Sequence, residues 1–214
     1  MIGRLTELKK DLHHLVDFDK LDINSSVVDA GASDGRFIKE FHEHCECFIL
    51  AIEPQIKNYS KIIKAGFKNV KYRNAALVPE DYIDKKILFR QYTGEDGKYF
   101  QWGSTQDIHE DEINRRRYRE HIDICTYEVP TIKLSDIISV VGRIDYLKMD
   151  IEGEELPILE SLTQRHDITS NINQMSFEYH YHNIERIENL LKDMGFLVTI
   201  KNEEVYAVQP TTLR

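Results

Sequence analysis

The sequence is short of several things at once, and each shortage removes a class of protein. Three cysteines among 214 residues cannot all pair with one another, and a chain of this length builds a core without disulfides, which fits a reducing compartment. No uncharged apolar run approaches the roughly 20 residues of a membrane span. The opening stretch MIGRLTELKKDLHHL interrupts its apolar positions with charge before a signal-peptide core could form, so a cytoplasmic protein is expected. Basic charge is in deficit: 28 Lys plus Arg stand against 37 Asp plus Glu, a formal charge of −9. Non-specific nucleic-acid binding draws most of its energy from phosphate neutralisation, so nucleic acid is not an expected partner. At 41% hydrophobic and 30% charged, the composition excludes disorder and collagen-like repeats. The length suits one domain over 1–214 that carries an insertion.

What is present is an alternation of strand and helix patterns. Ile2, Leu5, Leu8, Leu12 and Leu15 are spaced for an amphipathic helix over about 2–16. Val27 and Val28 read as a short buried strand, then come a helix over about 35–44, a strand at 48–52 and a helix over about 56–65 closed by Gly66. A strand follows at 70–77. Residues 80–135 break the rhythm with strand-like ILFRQY and TYEVPTIKL around a charged segment, and read as an insertion or lid. Alternation resumes with a strand at 144–149, a helix over about 154–164, a strand at 174–179, a helix at 184–194 and a hairpin of 196–200 with 205–208. Such alternation means a parallel sheet covered on both faces, with ligands at the carboxyl ends of the strands.

At the end of the first parallel strand lies VVDAGASDG, residues 27–35, open to three readings. A nicotinamide site expects a glycine where Ser33 stands. A nucleophile elbow would make Ser33 the nucleophile, but such an elbow follows several strands, and only 26 residues precede this one. The third reading uses Asp29 beside the turn, Gly31 and Gly35 for tight turning and close approach, and Glu53 ending the next strand. That arrangement resembles S-adenosylmethionine-dependent methyltransferases, in which the acid after the second strand takes both ribose hydroxyls.

Later segments strengthen the resemblance. IDYLKMDIEGEELPILE at 144–160 resembles the signature of FkbM-type methyltransferases, a family that methylates hydroxyl groups of sugars, polyketides and related metabolites. AIEP at 51–54, NAAL at 74–77, WGS at 102–104, VPTIKLSDII at 129–138 and FEYH at 177–180 are similar to further landmarks of that family. The resemblance covers roughly 25–208, with Ser33 where the family often has Asn. It implies a Rossmann-like class I fold with a seven-stranded, mostly parallel sheet whose last strand is antiparallel. It further implies S-adenosyl-L-methionine as cofactor, held by Asp29, Gly31, Ser33, Gly35, Glu53, Asn74, Ala75, Ser104 and Asp150, with Asn74 and Ala75 flanking the adenine.

The residues themselves suggest the reacting end. Asp150 and Glu152 follow an apolar strand and project toward the ligand crevice, while Glu154 and Glu155 fit simple helix N-terminal capping and solvation. Alternation places Glu178, His180 and His182 on one face of FEYHYH. Glu178 and His180 would then form an acid/base pair beside Asp150, with His180 as base and His182 toward the acceptor. The same residues could ligate a metal, which the chemistry does not require. HEHCEC at 42–47 has poor spacing for zinc. DIHEDEINRRRYREH at 107–121 orders acids before bases along a helix. It reads either as a solvated helix or as a lid whose Arg115 and Arg116 grip an anionic or nucleotide-linked sugar. The expected activity is therefore methyl transfer to a hydroxyl oxygen of a small molecule. The alternatives are transfer to nitrogen or phosphate oxygen, or a non-catalytic nucleotide- or partner-binding domain.

Overall fold

The computed structural model describes residues 5–8, 14–94, 99–104, 122–179, 183–202 and 204–210. Where the leucine spacing of the first sixteen residues predicts a helix, two short strands are found instead, β1 (Thr6–Glu7) and β2 (Leu15–Val16), paired antiparallel with Thr6 opposite Val16. The reason is tertiary. Leu8 and Val16 enter one apolar cluster with Phe37, Ile38 and Phe41, whereas Leu5 and Leu15 pack on Tyr206 and Val208. The Leu15 amide donates to Ser176 Oγ at 3.1 Å and the Asp17 amide to Gln174 Oε1 at 3.1 Å. Packing against two separate places overrides the local helical period.

The central unit then follows the expected order. Strand β3 (Ser26–Ala30), helix α1 (Arg36–His42), strand β4 (Phe48–Ile52), helix α2 (Ile56–Ala65) and strand β5 (Val70–Arg73) build its first half. Gly66 closes α2 at a φ of 64°. The strand expected over 70–77 is split at Asn74 and Ala75, because β6 (Ala76–Leu77) leaves β5 and joins a second sheet. That sheet holds the insertion: β7 (Lys86–Gly94), β8 (Tyr99–Ser104) and β9 (Ile122–Ile132), in the order β6-β9-β7-β8. Much of the expected insertion is therefore strand, and the charged run at 107–121 lies outside the described residues.

Helix α3 (Leu134–Val141), strand β10 (Tyr146–Met149), helices α4 (Glu155–Ser161) and α5 (His166–Thr169), strand β11 (Gln174–Glu178), helix α6 (Ile184–Asp193) and the hairpin β12 (Leu197–Lys201) and β13 (Glu204–Val208) complete the chain. The main sheet runs β12-β13-β11-β10-β3-β4-β5. All its described pairings are parallel except those made by β13. Its strands are apolar on both faces because helices cover both. Val28, Leu147 and Phe177 pack under α3, α4 and α6, while Val27, Ile49 and Tyr146 pack under α1 and α2.

Among the described residues no helix is long and apolar enough to cross a membrane. Leu8 is 1% exposed, so Leu8→Ala should destabilise the protein by about 2–5 kcal/mol, as for a buried leucine and unlike one on a solvated helix. Urea denaturation checks this, and a loss within about 0.5 kcal/mol, the range of a surface substitution, would contradict the packing of the N-terminal arm.

Candidate functional site

The central strands β3 and β10 lie side by side, with Lys148 opposite Asp29 and Met149 opposite Ala30. Their carboxyl ends run into turns that press against each other. The Asp150 amide donates to the Ala30 carbonyl at 3.0 Å. A Cβ built on Gly31, whose φ is 78°, would lie 1.8 Å from the Asp150 carbonyl oxygen. The space that Gly31 leaves is thus filled by the β10 turn, where the sequence suggests an approaching ligand. Gly35 is likewise a packing position. It stands at the N-cap of α1 with a φ of 85°, and a Cβ there would meet the Phe67 ring at 2.7 Å and Ile62 at 3.0 Å.

Lys148, which sequence reasoning notes only as part of the KMDIEGEE match and gives no role, fastens this junction. Its ammonium donates to the Gly31 carbonyl at 2.7 Å, pairs with Asp29 at 3.0 Å and lies 3.9 Å from Asp150 and 5.7 Å from the centre of the Phe37 ring. Burial pushes its pKa down, but Asp29 and Asp150 outweigh that and hold it above the ordinary lysine value. Asp29 is fully buried. Sequence reading takes it as a ligand contact beside the turn; the structure pairs it with Lys148, because alternation turns it into the sheet face that Lys148 shares. Asp150 does reach the crevice, with its side chain 38% exposed.

The turn after β10 is held from beneath. Glu152 has a φ of 54° and Gly153 one of 108°. Glu155, expected to cap and be solvated, is completely buried: its carboxylate accepts from the Ile151 amide at 3.0 Å and from the Gly153 amide at 2.9 Å. The signal was the glycine two residues before it, since a turn of that shape leaves amides that need an acceptor.

Glu53, at the end of β4, accepts from the Ser33 amide at 2.7 Å and from the Gln55 amide at 2.8 Å. This ties the acid to the GASDG turn. It is 5% exposed, and burial pushes its pKa up to about 7 against the pull of those two amides and of Lys148. A carboxylate has about four acceptor sites, so two remain beside the two amides. Asn74 donates through its side chain to the Glu53 and Pro54 carbonyls at 2.8 and 2.9 Å, clamping the strand end, with Ala75 buried beside it.

Phe177 pairs with Met149 in the β10–β11 register, so Asp150 and Glu178 stand at the ends of neighbouring parallel strands, as expected. His180, His182, Arg115 and Arg116 lie outside the described residues. Ser104 ends β8 opposite Arg90. Among the described residues no group of three or more His, Cys, Asp or Glu is placed to hold a metal. In HEHCEC the cysteine Cys47 is core, with His42 Nε2 3.3 Å from its carbonyl oxygen.

A mostly parallel seven-stranded sheet with its last strand reversed, and acids at the ends of adjoining strands, define a Rossmann-like α/β fold of the class I methyltransferase type. The chain belongs to the FkbM methyltransferase family: the methyltransferase FkbM domain matches residues 29–198. Among solved structures, the methyltransferase FkbM from Methylobacillus flagellatus is similar at 15% identity with a TM-score of 0.52, covering 87% of this chain; this chain spans 44% of that protein's. A precorrin-6y C5,15-methyltransferase from Geobacter metallireducens matches at 11% identity and a TM-score of 0.49, over 90% of this chain and 85% of its own. An rRNA methylase from Streptococcus thermophilus matches at 10% identity and a TM-score of 0.45, over 90% of each chain. No curated protein matches the sequence closely enough to count as a relative.

Lys148→Met would leave the Asp29 carboxylate buried without its cation. Breaking such a pair costs about 3–5 kcal/mol. Stability should fall by that amount in urea denaturation, and adding Asp29→Asn should restore a large part of it. Additive losses in the double variant would mean the two side chains do not act as a pair.

Proposed function

We propose that this chain transfers a methyl group from S-adenosylmethionine to a hydroxyl oxygen of a small acceptor, a sugar or related metabolite. The observation that carries the proposal is the carboxylate of Glu53, fixed at a strand end by the Ser33 amide of the glycine turn and retaining two acceptor sites, the number a ribose diol requires. Family membership supports the reaction class, and the formal charge of −9 favours a small acceptor over nucleic acid. The cofactor supplies an electrophilic methyl on a positively charged sulfur.

The chain's residues then have separable tasks. Glu53 holds the ribose, with Asn74 and Ala75 at the adenine side and Ser33 and Ser104 toward the remainder. Asp150 presents a carboxylate at the methyl end, where it steadies positive charge. Glu178 orients His180, which takes the proton of the attacking hydroxyl; imidazole titrates near neutral pH, which suits that task. Arg115, Arg116 and His182 face the acceptor, which would be anionic or nucleotide-linked. Much of the rate comes from alignment, since an in-line displacement depends on holding oxygen, carbon and sulfur in a row.

Transfer of labelled methyl groups from S-adenosylmethionine into a cell extract, fractionated into small molecules, nucleic acid and protein, tests the acceptor class. Label confined to nucleic acid or protein would overturn the small-acceptor reading. His180→Ala should slow transfer by about 10²–10⁴ and leave cofactor affinity intact, and a rate within about threefold of the parent would remove it from the chemistry.

Glu53 also sets a pH dependence. Its folded-state value near 7 exceeds the ordinary 4.5, so the folded chain holds this proton more tightly than the unfolded one. The destabilisation from ionising Glu53 is therefore absent below about 4.5, grows as pH rises and is complete above about 7. Ribose hydroxyls donate to the ionised form, so S-adenosylhomocysteine should bind more tightly as pH rises from about 6 to about 8. Glu53→Ala should abolish that dependence and lower affinity at least about tenfold in calorimetry. An unchanged affinity would sink the assignment.

A further inference from the structure

The inserted sheet has one graded face. In its register Ile87 stands opposite Val129, Phe89 opposite Tyr127 and Gln91 opposite Cys125. Ile87, Phe89 and Gln91 therefore share a face, and the first two pack with Tyr127, Val129 and Ala76. Ala76 directly follows Asn74 and Ala75, so this face abuts the strand end assigned above to the adenine. At Gln91 the apolar pattern stops, yet the residue is only 5% exposed.

The hydrogen bonds around Gln91 are incomplete in a specific way. The Tyr127 hydroxyl lies against the Ile56 amide, at the start of α2, and close enough to Glu53 to feel its charge; burial, opposed by that amide and assisted by Glu53, pushes its pKa up to about 12. With the Ile56 amide on its acceptor side, the hydroxyl donates to Gln91 Oε1 at 3.2 Å. With the hydroxyl on Oε1, Nε2 is buried and has no partner among the described residues. A buried donor without an acceptor is destabilising and rare in folded proteins, which marks a position awaiting a group from outside the chain.

We propose that Gln91 and Tyr127 complete the nucleoside half of the cofactor pocket from the inserted sheet, with the Gln91 side-chain amide donating to an acceptor atom of the bound adenosine. The inference rests on the cofactor reading above and adds a specificity contact from a part of the chain outside the strand ends. Tyr127 is a positioning residue in this arrangement: it orients Gln91 and spans the gap to α2 beside Glu53.

Calorimetry on the full chain with S-adenosylhomocysteine and with methylthioadenosine, which lacks the amino-acid end, tests it. Gln91→Leu should weaken both ligands by the same factor, about three- to tenfold for one neutral hydrogen bond. The melting temperature of the ligand-free protein should change little, because one unpaired buried donor, Gln91 Nε2, is exchanged for another, the Tyr127 hydroxyl. Gln91→Glu keeps an acceptor toward Tyr127 and removes the donor, and should weaken both ligands at least as much. Parental affinity in both variants, or a loss confined to S-adenosylhomocysteine, would overturn the inference while leaving the cofactor reading in place. Failure of the parent protein to bind either ligand would overturn the cofactor reading itself, and the inference with it.

Discussion

Two turns that meet backbone to backbone determine the rest of this site. The Asp150 carbonyl occupies the place where Gly31 would carry a Cβ, so neither turn can shift without the other. Lys148 closes the contact from below by donating to the Gly31 carbonyl while facing Asp29 and Asp150. Glu155 closes it from the helix side by taking the Ile151 and Gly153 amides. The strained backbone of Glu152 and Gly153 persists because these contacts over-determine it. A reaction that depends on alignment needs a floor of this kind, and here it is built almost wholly from buried charge and backbone.

That construction explains an uneven distribution of acids. Asp29 and Glu155 are buried and satisfy a cation and two amides, whereas Asp150, two residues beyond Lys148 and just past the strand end, is partly exposed. The same residue type does opposite work within one junction. Strand alternation gives Asp29 and Asp150 the same side as Lys148, so what separates their roles is the point at which the strand ends.

The fold was legible because its strands and helices carry strong local patterns: Phe48–Ile52 and Ile56–Ala65 fall where their periods place them. The N-terminal arm was not, since Leu5, Leu8 and Leu15 have a helical period but are distributed between two clusters that exist only after the sheet forms. In the site, the place of Glu53 at the end of the strand after the glycine turn was readable from spacing, and so was the adjacency of Asp150 and Glu178; the bond from the Ser33 amide to Glu53 was not. The packing of Asp29, Gly31 and Gly35 was not legible. A motif shows that a glycine leaves space, and only the folded chain shows that Asp150, Phe67 and Ile62 fill it.

Gln91 illustrates the deeper reason for what was hidden. Its partner Tyr127 is 36 residues away, and the two meet only through the antiparallel register of β7 with β9. No local pattern distinguishes that glutamine from any other polar residue in a strand. Its significance comes from a count of donors and acceptors, which requires the whole neighbourhood: Tyr127 supplies a donor to Gln91 Oε1, and Nε2 is left buried with no partner among the described residues. Strand-end positions are set by the fold and recur wherever the fold does, whereas an inserted sheet is free to vary. The pocket proposed above would keep its chemistry in the first and adjust its selectivity in the second.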